Sequence, residues 1–159
     1  MHVDWVNVAI NKNNDIVMMK VNDPNVYVCD NTGRVKHKFQ HDADSLRDLA
    51  ITDQNEIVIS SYDMAVSVYT EKGNPKSTIK LPESNRPYGV TFHHVISKII
   101  VLTYNKEEDS FFLLCYCEAG ELESSTFCCN LSDGKGRPYL TSHPNGPVAV
   151  VRENSITFI

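Results

Sequence analysis

The sequence contains no CxxC pair, and so lacks the usual paired ligands of a structural zinc site such as a RING or B-box. No apolar run approaches the roughly 18 residues of a membrane-spanning helix, so no membrane insertion is expected. Apolar residues nowhere recur at helical spacing, and no long heptad stretch occurs, so neither an amphipathic helix nor a coiled coil is predicted. There is no nucleophile-elbow motif, P-loop or dinucleotide glycine pattern. A basic excess is missing too. The formal net charge is -5, which argues against broad nucleic-acid binding but leaves room for a local basic patch. The opening MHVDWVNVAINKNND has no basic segment leading into an apolar one, so no secretory leader is expected. Five cysteines is an odd number and leaves at least one thiol free. Together these features point to a reducing compartment and a cytoplasmic protein.

What is present is a globular composition, with 42% hydrophobic and 22% charged residues in 159, the size of one ordinary domain. Within it the chain repeats itself. Residues 49–60 read LAITDQNEIVIS and residues 8–19 read VAINKNNDIVMM. Ala50 lies 41 residues after Ala9, and Thr91 lies 41 after Ala50. Each sits in a matching triplet: Val8-Ala9-Ile10, Leu49-Ala50-Ile51, Val90-Thr91-Phe92. A second apolar run follows each triplet, from Ile16, Ile57 and Ile99, and then a third, from Val26, Val66 and Phe111. Next comes a turn with glycine in its fourth place: Asp30 to Gly33, Thr70 to Gly73, Cys117 to Gly120. Glycine there fits a type I turn followed by a left-handed residue. A fourth run closes each unit: Val35 to Phe39, Ser77 to Leu81, Leu122 to Cys128.

Four short strands per unit, at a period in the forties, is the pattern of a β-propeller blade. The expectation is therefore an all-β fold, a partial propeller of four-stranded antiparallel blades. The blades run over about 6–46, 47–86, 87–137 and 138–159. The fourth begins at Leu140-Thr141 and holds only three strands, ending with Ile156 to Ile159. Met1 to Trp5 aligns with the linker before a first strand and does not supply the fourth. Missing blades elsewhere in a longer protein, a second copy of the chain, or closure of four blades alone would each answer for the open strand edge.

The units resemble NHL repeats. Arg86-Pro-Tyr-Gly-Val90 matches the opening of such a repeat, and Arg137-Pro-Tyr-Leu140 matches it in part. Asn22 to Gly33 is similar to the bend, hairpin and closing glycine. No Trp-Asp pair closes a blade, so WD40 repeats are the poorer match. NHL propellers often stand at the carboxyl end of tripartite-motif ubiquitin ligases, where they recognise substrate or RNA. The resemblance thus implies a non-catalytic interaction module with a protein partner, the substrate-recognition part of a ligase whose RING is absent from this sequence. RNA ranks second as partner. An enzyme of the propeller lactonase or lyase type ranks third, because the triplets offer apolar and small groups rather than channel ligands. No cofactor or metal is expected.

Alternating strand direction places the linkers between blades on one face with the bends between second and third strands. That face is the usual ligand face of NHL proteins. On it fall Arg47, Arg86, Tyr88, Arg137 and Tyr139 from the linkers, with Asp23 and Asp63 from the bends. Arginine and tyrosine are enriched at binding hot spots, which makes the repeated Arg-Pro-Tyr the candidate contact surface. The cysteines invite a bridge, but a Glu118–Glu121 turn would pair Cys117 with Leu122 and Cys115 with Ser124. Cys128 then lies beyond the partner of Cys115 by about 13 Å at strand rise. A disulfide needs Cα atoms within about 7 Å. The cysteines read as small hydrophobes. His93-His94 reads as surface turn histidine, and Glu107-Glu108-Asp109 as a solvated loop tip able to meet a cation or a basic partner.

Overall fold

The computed structural model describes residues 6–20, 23–43, 45–131, 138–143, 146–152 and 155–158. They form four separate antiparallel sheets, each a meander in which sequence neighbours pair. Blade 1 holds β1 (Val6–Ile10), β2 (Ile16–Lys20), β3 (Asn25–Cys29) and β4 (Val35–Gln40). Blade 2 holds β5 (Leu46–Ile51), β6 (Ile57–Ser61), β7 (Ala65–Tyr69) and β8 (Pro75–Lys80). Blade 3 is longer, with β9 (Asn85–His93), β10 (Lys98–Asn105), β11 (Ser110–Tyr116) and β12 (Leu122–Asn130). Blade 4 has β13 (Tyr139–Ser142), β14 (Val148–Arg152) and β15 (Ser155–Phe158). The first strands line up in order, β5 beside β1, β9 beside β5 and β13 beside β9. Met1 to Trp5 and Ile159 lie outside the described residues. No helix among the described residues is long and apolar enough to cross a membrane.

The turns explain the meander. In blades 1 to 3 the third and fourth strands join through a glycine at positive φ: Gly33 at 84°, Gly73 at 81° and Gly120 at 85°. The amide of each donates to the carbonyl three residues back, on Asp30, Thr70 and Cys117. Between first and second strands, Asn14 and Asn55 take the left-handed conformation, which asparagine tolerates better than most side chains. The side chain of Asn11 accepts the amides of Asn13 and Asp15, and Thr52 accepts those of Gln54 and Glu56 at the repeat-equivalent place.

Packing follows from strand alternation, which sends successive side chains to opposite faces. Leu49 and Ile51 of β5 point back into a core with Val17, Met19, Val26 and Val28 of blade 1. Ala50, one step out of phase, points forward with Val58, Val66 and Val68 toward Val90, Phe92 and Ile99 of blade 3. A third core joins Ile100, Leu102, Phe111 and Leu113 to Val148 and Val150 of blade 4. Each fully buried aliphatic side chain contributes roughly 1.5–3 kcal/mol, so these cores, rather than the thin sheets, hold the arc together. The outermost blades show the same logic by contrast. Val8 and Ile10 are 55% and 64% exposed, whereas Leu49 and Ile51 at the same repeat position are 7% and 8% exposed. On blade 4, Ile156 and Phe158 are likewise exposed.

Three sequence expectations need correction. Arg47, Arg86, Tyr88 and Tyr139 lie within the innermost strands, not in linkers. The proline of Arg86-Pro87-Tyr88 suggested a linker, but β9 is an edge strand, where proline is tolerated. The last strand of blade 2 starts at Pro75 rather than Ser77. Finally, Cys115 does pair with Ser124, but Leu122 pairs with Tyr116, because a register shift falls between Cys115 and Tyr116. All five cysteines are free thiols.

Two turn glycines separate backbone strain from packing. A Cβ on Gly33 meets nothing within 4 Å, whereas one on Gly73 would collide with the ring of Phe39 from the neighbouring blade. Gly33→Ala is expected to cost about 1–2 kcal/mol from the positive φ alone. Gly73→Ala should cost a further 1–3 kcal/mol or so from overpacking. Urea unfolding of both variants checks the difference, and equal losses would contradict it.

Candidate functional site

The innermost strands of blades 2 and 3 share an irregularity that blade 1 lacks. In β5, Leu46 pairs with Ser61 and Asp48 with Ser60, so Arg47 is an extra residue in the strand. In β9, Pro87 pairs with Thr103 and Gly89 with Leu102, so Tyr88 is the extra residue. The two bulges stand at equivalent repeat positions, 41 residues apart. In blade 1 the pairing runs straight through, Val6 with Lys20 and Asn7 with Met19. A bulge bends its strand and re-aims a side chain, and bulges gather near functional sites.

Here the two re-aimed side chains meet. The Arg47 guanidinium lies 3.9 Å from the centroid of the Tyr88 ring and 4.1 Å from that of Tyr62, which follows β6. Cation–π contact of this kind contributes about 0.5–2 kcal/mol depending on exposure. Tyr88 is fixed in turn by edge-on contact with Phe111 at 5.1 Å and with Tyr104 at 6.2 Å. The stack therefore stands on the hydrophobic core of blade 3.

Asp48 and Asn7 occupy the same repeat position, one residue before the triplet. Each reaches across to the next blade. Asn7 donates its side-chain amide to the carbonyl of Arg47. The Asp48 Oδ2 accepts the Val90 amide at 3.0 Å, and Oδ1 accepts the Leu49 amide at 2.9 Å. Glycine at the third repeat of this position leaves the room: a Cβ on Gly89 would stand 3.2 Å from Asp48 Oδ2. Between blades 3 and 4, Thr91 Oγ1 donates to Ser142 Oγ at 2.6 Å.

Asn7, Arg47, Asp48, Tyr88 and Gly89 line a hollow of about 400 Å³ at one mouth of the central channel, together with Tyr62, Pro138 and Tyr139. Tyr139 is exposed there. Of the residues expected from sequence, Arg47, Tyr88 and Tyr139 come together. Arg86 lies apart on the same face, in a second hollow with Met64, Ser84, Lys106 and Glu107. Asp63 is exposed in the turn after Tyr62. Asp23 accepts the Asn25 amide at 2.9 Å and its side-chain amide at 2.6 Å, bonds that hold its carboxyl below the usual range and tie it to the bend. Arg137 lies outside the described residues. Sequence reasoning passed over Tyr62, Asn7 and Asp48. A polar residue before each of the first two apolar triplets was the available signal, and the channel is not lined by apolar and small groups alone.

The opposite mouth is organised by Asp53. Its carboxylate meets Lys12 Nζ at 3.1 Å and His94 Nδ1 at 2.9 Å, so one side chain links blades 1, 2 and 3. The His94 hydrogen bond, with help from Lys12, holds the Asp53 carboxyl below the ordinary range. His94 is thus an inter-blade tie rather than a free surface histidine. At the loop tip, Asp109 accepts the Tyr104 hydroxyl at 2.6 Å and Glu107 accepts Ser84. Among the described residues, no three His, Cys, Asp or Glu side chains gather to hold a metal ion.

Four-stranded sheets set radially about a channel define the class: this is a β-propeller chain. No protein-family model matches the sequence, and no curated protein matches it. Solved structures do match in fold. A streptogramin B lyase superposes with a TM-score of 0.71 at 14% identity, covering 96% of this chain and 50% of that one. The propeller of Dos1 gives 0.68 at 12% identity, over 98% and 44%. The WD40 β-propeller domain of Doa1 gives 0.67 at 16%, over 96% and 48%. This chain spans about half the length of the structures it matches. The likeness is one of fold, shared by a lyase and by propellers of other kinds.

Asp48 gives the hollow a measurable signature. Burial pushes its carboxyl from 3.8 up to about 6, against the two amide bonds, which favour the carboxylate. The folded state therefore favours the protonated form. That stabilisation is complete below about pH 4 and is lost as the pH rises through about 6. Asp48→Asn is neutral at every pH. By urea unfolding, the stability of the variant relative to the parent should rise by roughly 2–3 kcal/mol between pH 4 and pH 8. A difference that does not change between those pH values would contradict the assignment.

Proposed function

We propose that this chain is a non-catalytic interaction module, a propeller segment of NHL type that binds a protein partner on the face bearing Arg47, Tyr88 and Tyr139. The observation that carries the reading is the pair of in-phase bulges. They bring an arginine and a tyrosine from two blades into one stack at the channel mouth, beside the exposed Tyr139. Hot spots of protein interfaces are rich in these residue types. The Arg86-Pro87-Tyr88-Gly89-Val90 opening supports the NHL assignment. By that resemblance the module serves substrate recognition for a tripartite-motif-like ubiquitin ligase in the cytoplasm. Ligation itself would then lie with a RING, which this sequence does not contain.

Two other readings each rest on one observation. Tyrosine rings and a guanidinium at one mouth form a surface on which single-stranded RNA bases could stack. The net charge of -5 and the Asp48 carboxylate in the same hollow weigh against a polyanion. A raised carboxyl inside a channel suits a general acid or base, which supports a lyase-like role. The Asp48 oxygens, however, already accept two backbone amides.

The test is affinity purification from cell extract with quantitative mass spectrometry, with and without ribonuclease. Wild type is expected to retain a defined set of proteins after ribonuclease treatment. Tyr139→Ala combined with Arg86→Glu, both at exposed positions, should deplete that set at least tenfold, while the thermal midpoint is unchanged. Loss of the set on ribonuclease treatment would favour RNA. Full retention by the double variant would overturn the proposed face.

A further inference from the structure

Arg47 lines that hollow, and among the described residues no acid pairs with it. Its guanidinium carbon lies over the Tyr62 ring at 4.1 Å and over the Tyr88 ring at 3.9 Å. Among the described residues the guanidinium N–H donors meet no carboxylate and no hydrogen-bond acceptor, and Nε is buried without a partner. The nearest acid in sequence, Asp48, lines the same hollow, but its oxygens bond the amides of Val90 and Leu49 and make no ion pair with Arg47. A buried donor without an acceptor is uncommon in folded proteins and calls for an explanation. Contact with the Tyr62 and Tyr88 rings holds the guanidinium in place, so less freedom is lost when a ligand pairs with it.

Resting on the protein-binding reading, we infer that Arg47 receives the side-chain carboxylate of an aspartate or glutamate on the partner segment. A planar guanidinium edge and a planar carboxylate match each other as paired hydrogen bonds. The Asp48 carboxylate in the same hollow sets the limit on charge. It opposes a doubly charged phosphate or a nucleic-acid backbone more strongly than a single carboxylate. Pro138 and exposed Tyr139 form the adjoining wall and fit an apolar or aromatic residue next to the acid. The ligand class is therefore an acidic peptide motif with a neighbouring apolar side chain.

The experiment uses random peptides displayed on phage, panned on the immobilised chain, followed by fluorescence polarisation with synthetic copies of enriched peptides. Enriched sequences are expected to share an acidic residue. Changing it to its amide should weaken binding to wild type at least tenfold, and by less than twofold with Arg47→Gln. Should Arg47→Gln fail to fold, the peptide substitution against wild type and Arg47→Lys still decides the matter. Weak response to the amide peptide, together with loss of binding in Tyr139→Ala, would overturn the carboxylate assignment and leave the protein-binding face standing. Peptide binding insensitive to both Arg47 and Tyr139, or Arg47-dependent binding of a single-stranded RNA instead, would overturn both.

Discussion

Every inner strand of blades 2 and 3 is packed on two sides at once, and the rest of the molecule depends on that double duty. Leu49 and Ile51 belong to the core behind, and Ala50 to the core ahead. A shift of one residue would exchange the two sets and empty both cores. The register is therefore fixed by burial on both faces, with side-chain bonds from Asn7, Asp48 and Thr91 stitched between neighbouring inner strands. The same constraint accounts for the exposed Val8 and Ile10 of blade 1: their side of the strand has no blade behind it among the described residues.

A bulge is the one change that leaves this register intact while freeing a residue from it. In β5 and β9 the extra residue falls just ahead of the doubly packed segment, so the cores behind Leu49 and Val90 are untouched. The freed side chains, Arg47 and Tyr88, turn toward the channel mouth and stack. Structural and functional demands thus occupy adjacent but separate stretches of the same strand. Asp48 sits at the boundary between them. It joins two blades through the Val90 amide and contributes the negative charge that limits what the hollow can accept.

Those features differ in how far sequence alone exposes them. The blade period was legible because triplets and turn glycines recur at fixed spacing, and a positive φ leaves glycine few substitutes. The three-stranded fourth blade was legible for the same reason. Bulges were not, since one added residue looks like ordinary variation in an apolar run. That is why turn spacing alone sets Leu122 opposite Cys117, whereas its partner is Tyr116. Pro87 disguised the start of β9 as a linker, because proline signals a break unless the strand is known to lie at an edge. Strand alternation sets Arg47, Tyr88 and Tyr139 on one face in sequence, but the stack also needs Tyr62, which reads in sequence as the tail of an apolar run. Asp48 was hidden because a single polar residue ahead of an apolar triplet looks like an ordinary strand end.

The arginine stack is the point at which fold, bulge and proposed binding meet, and its side-chain nitrogen can be observed directly. A proton–nitrogen correlation spectrum of the arginine Nε–Hε groups, assigned by Arg47→Lys, measures it. Two rings about 4 Å away should move the Arg47 signal well upfield of free arginine, and Tyr62→Leu with Tyr88→Leu should return it. An Arg47 signal at the free-arginine position in the wild-type chain would contradict the account.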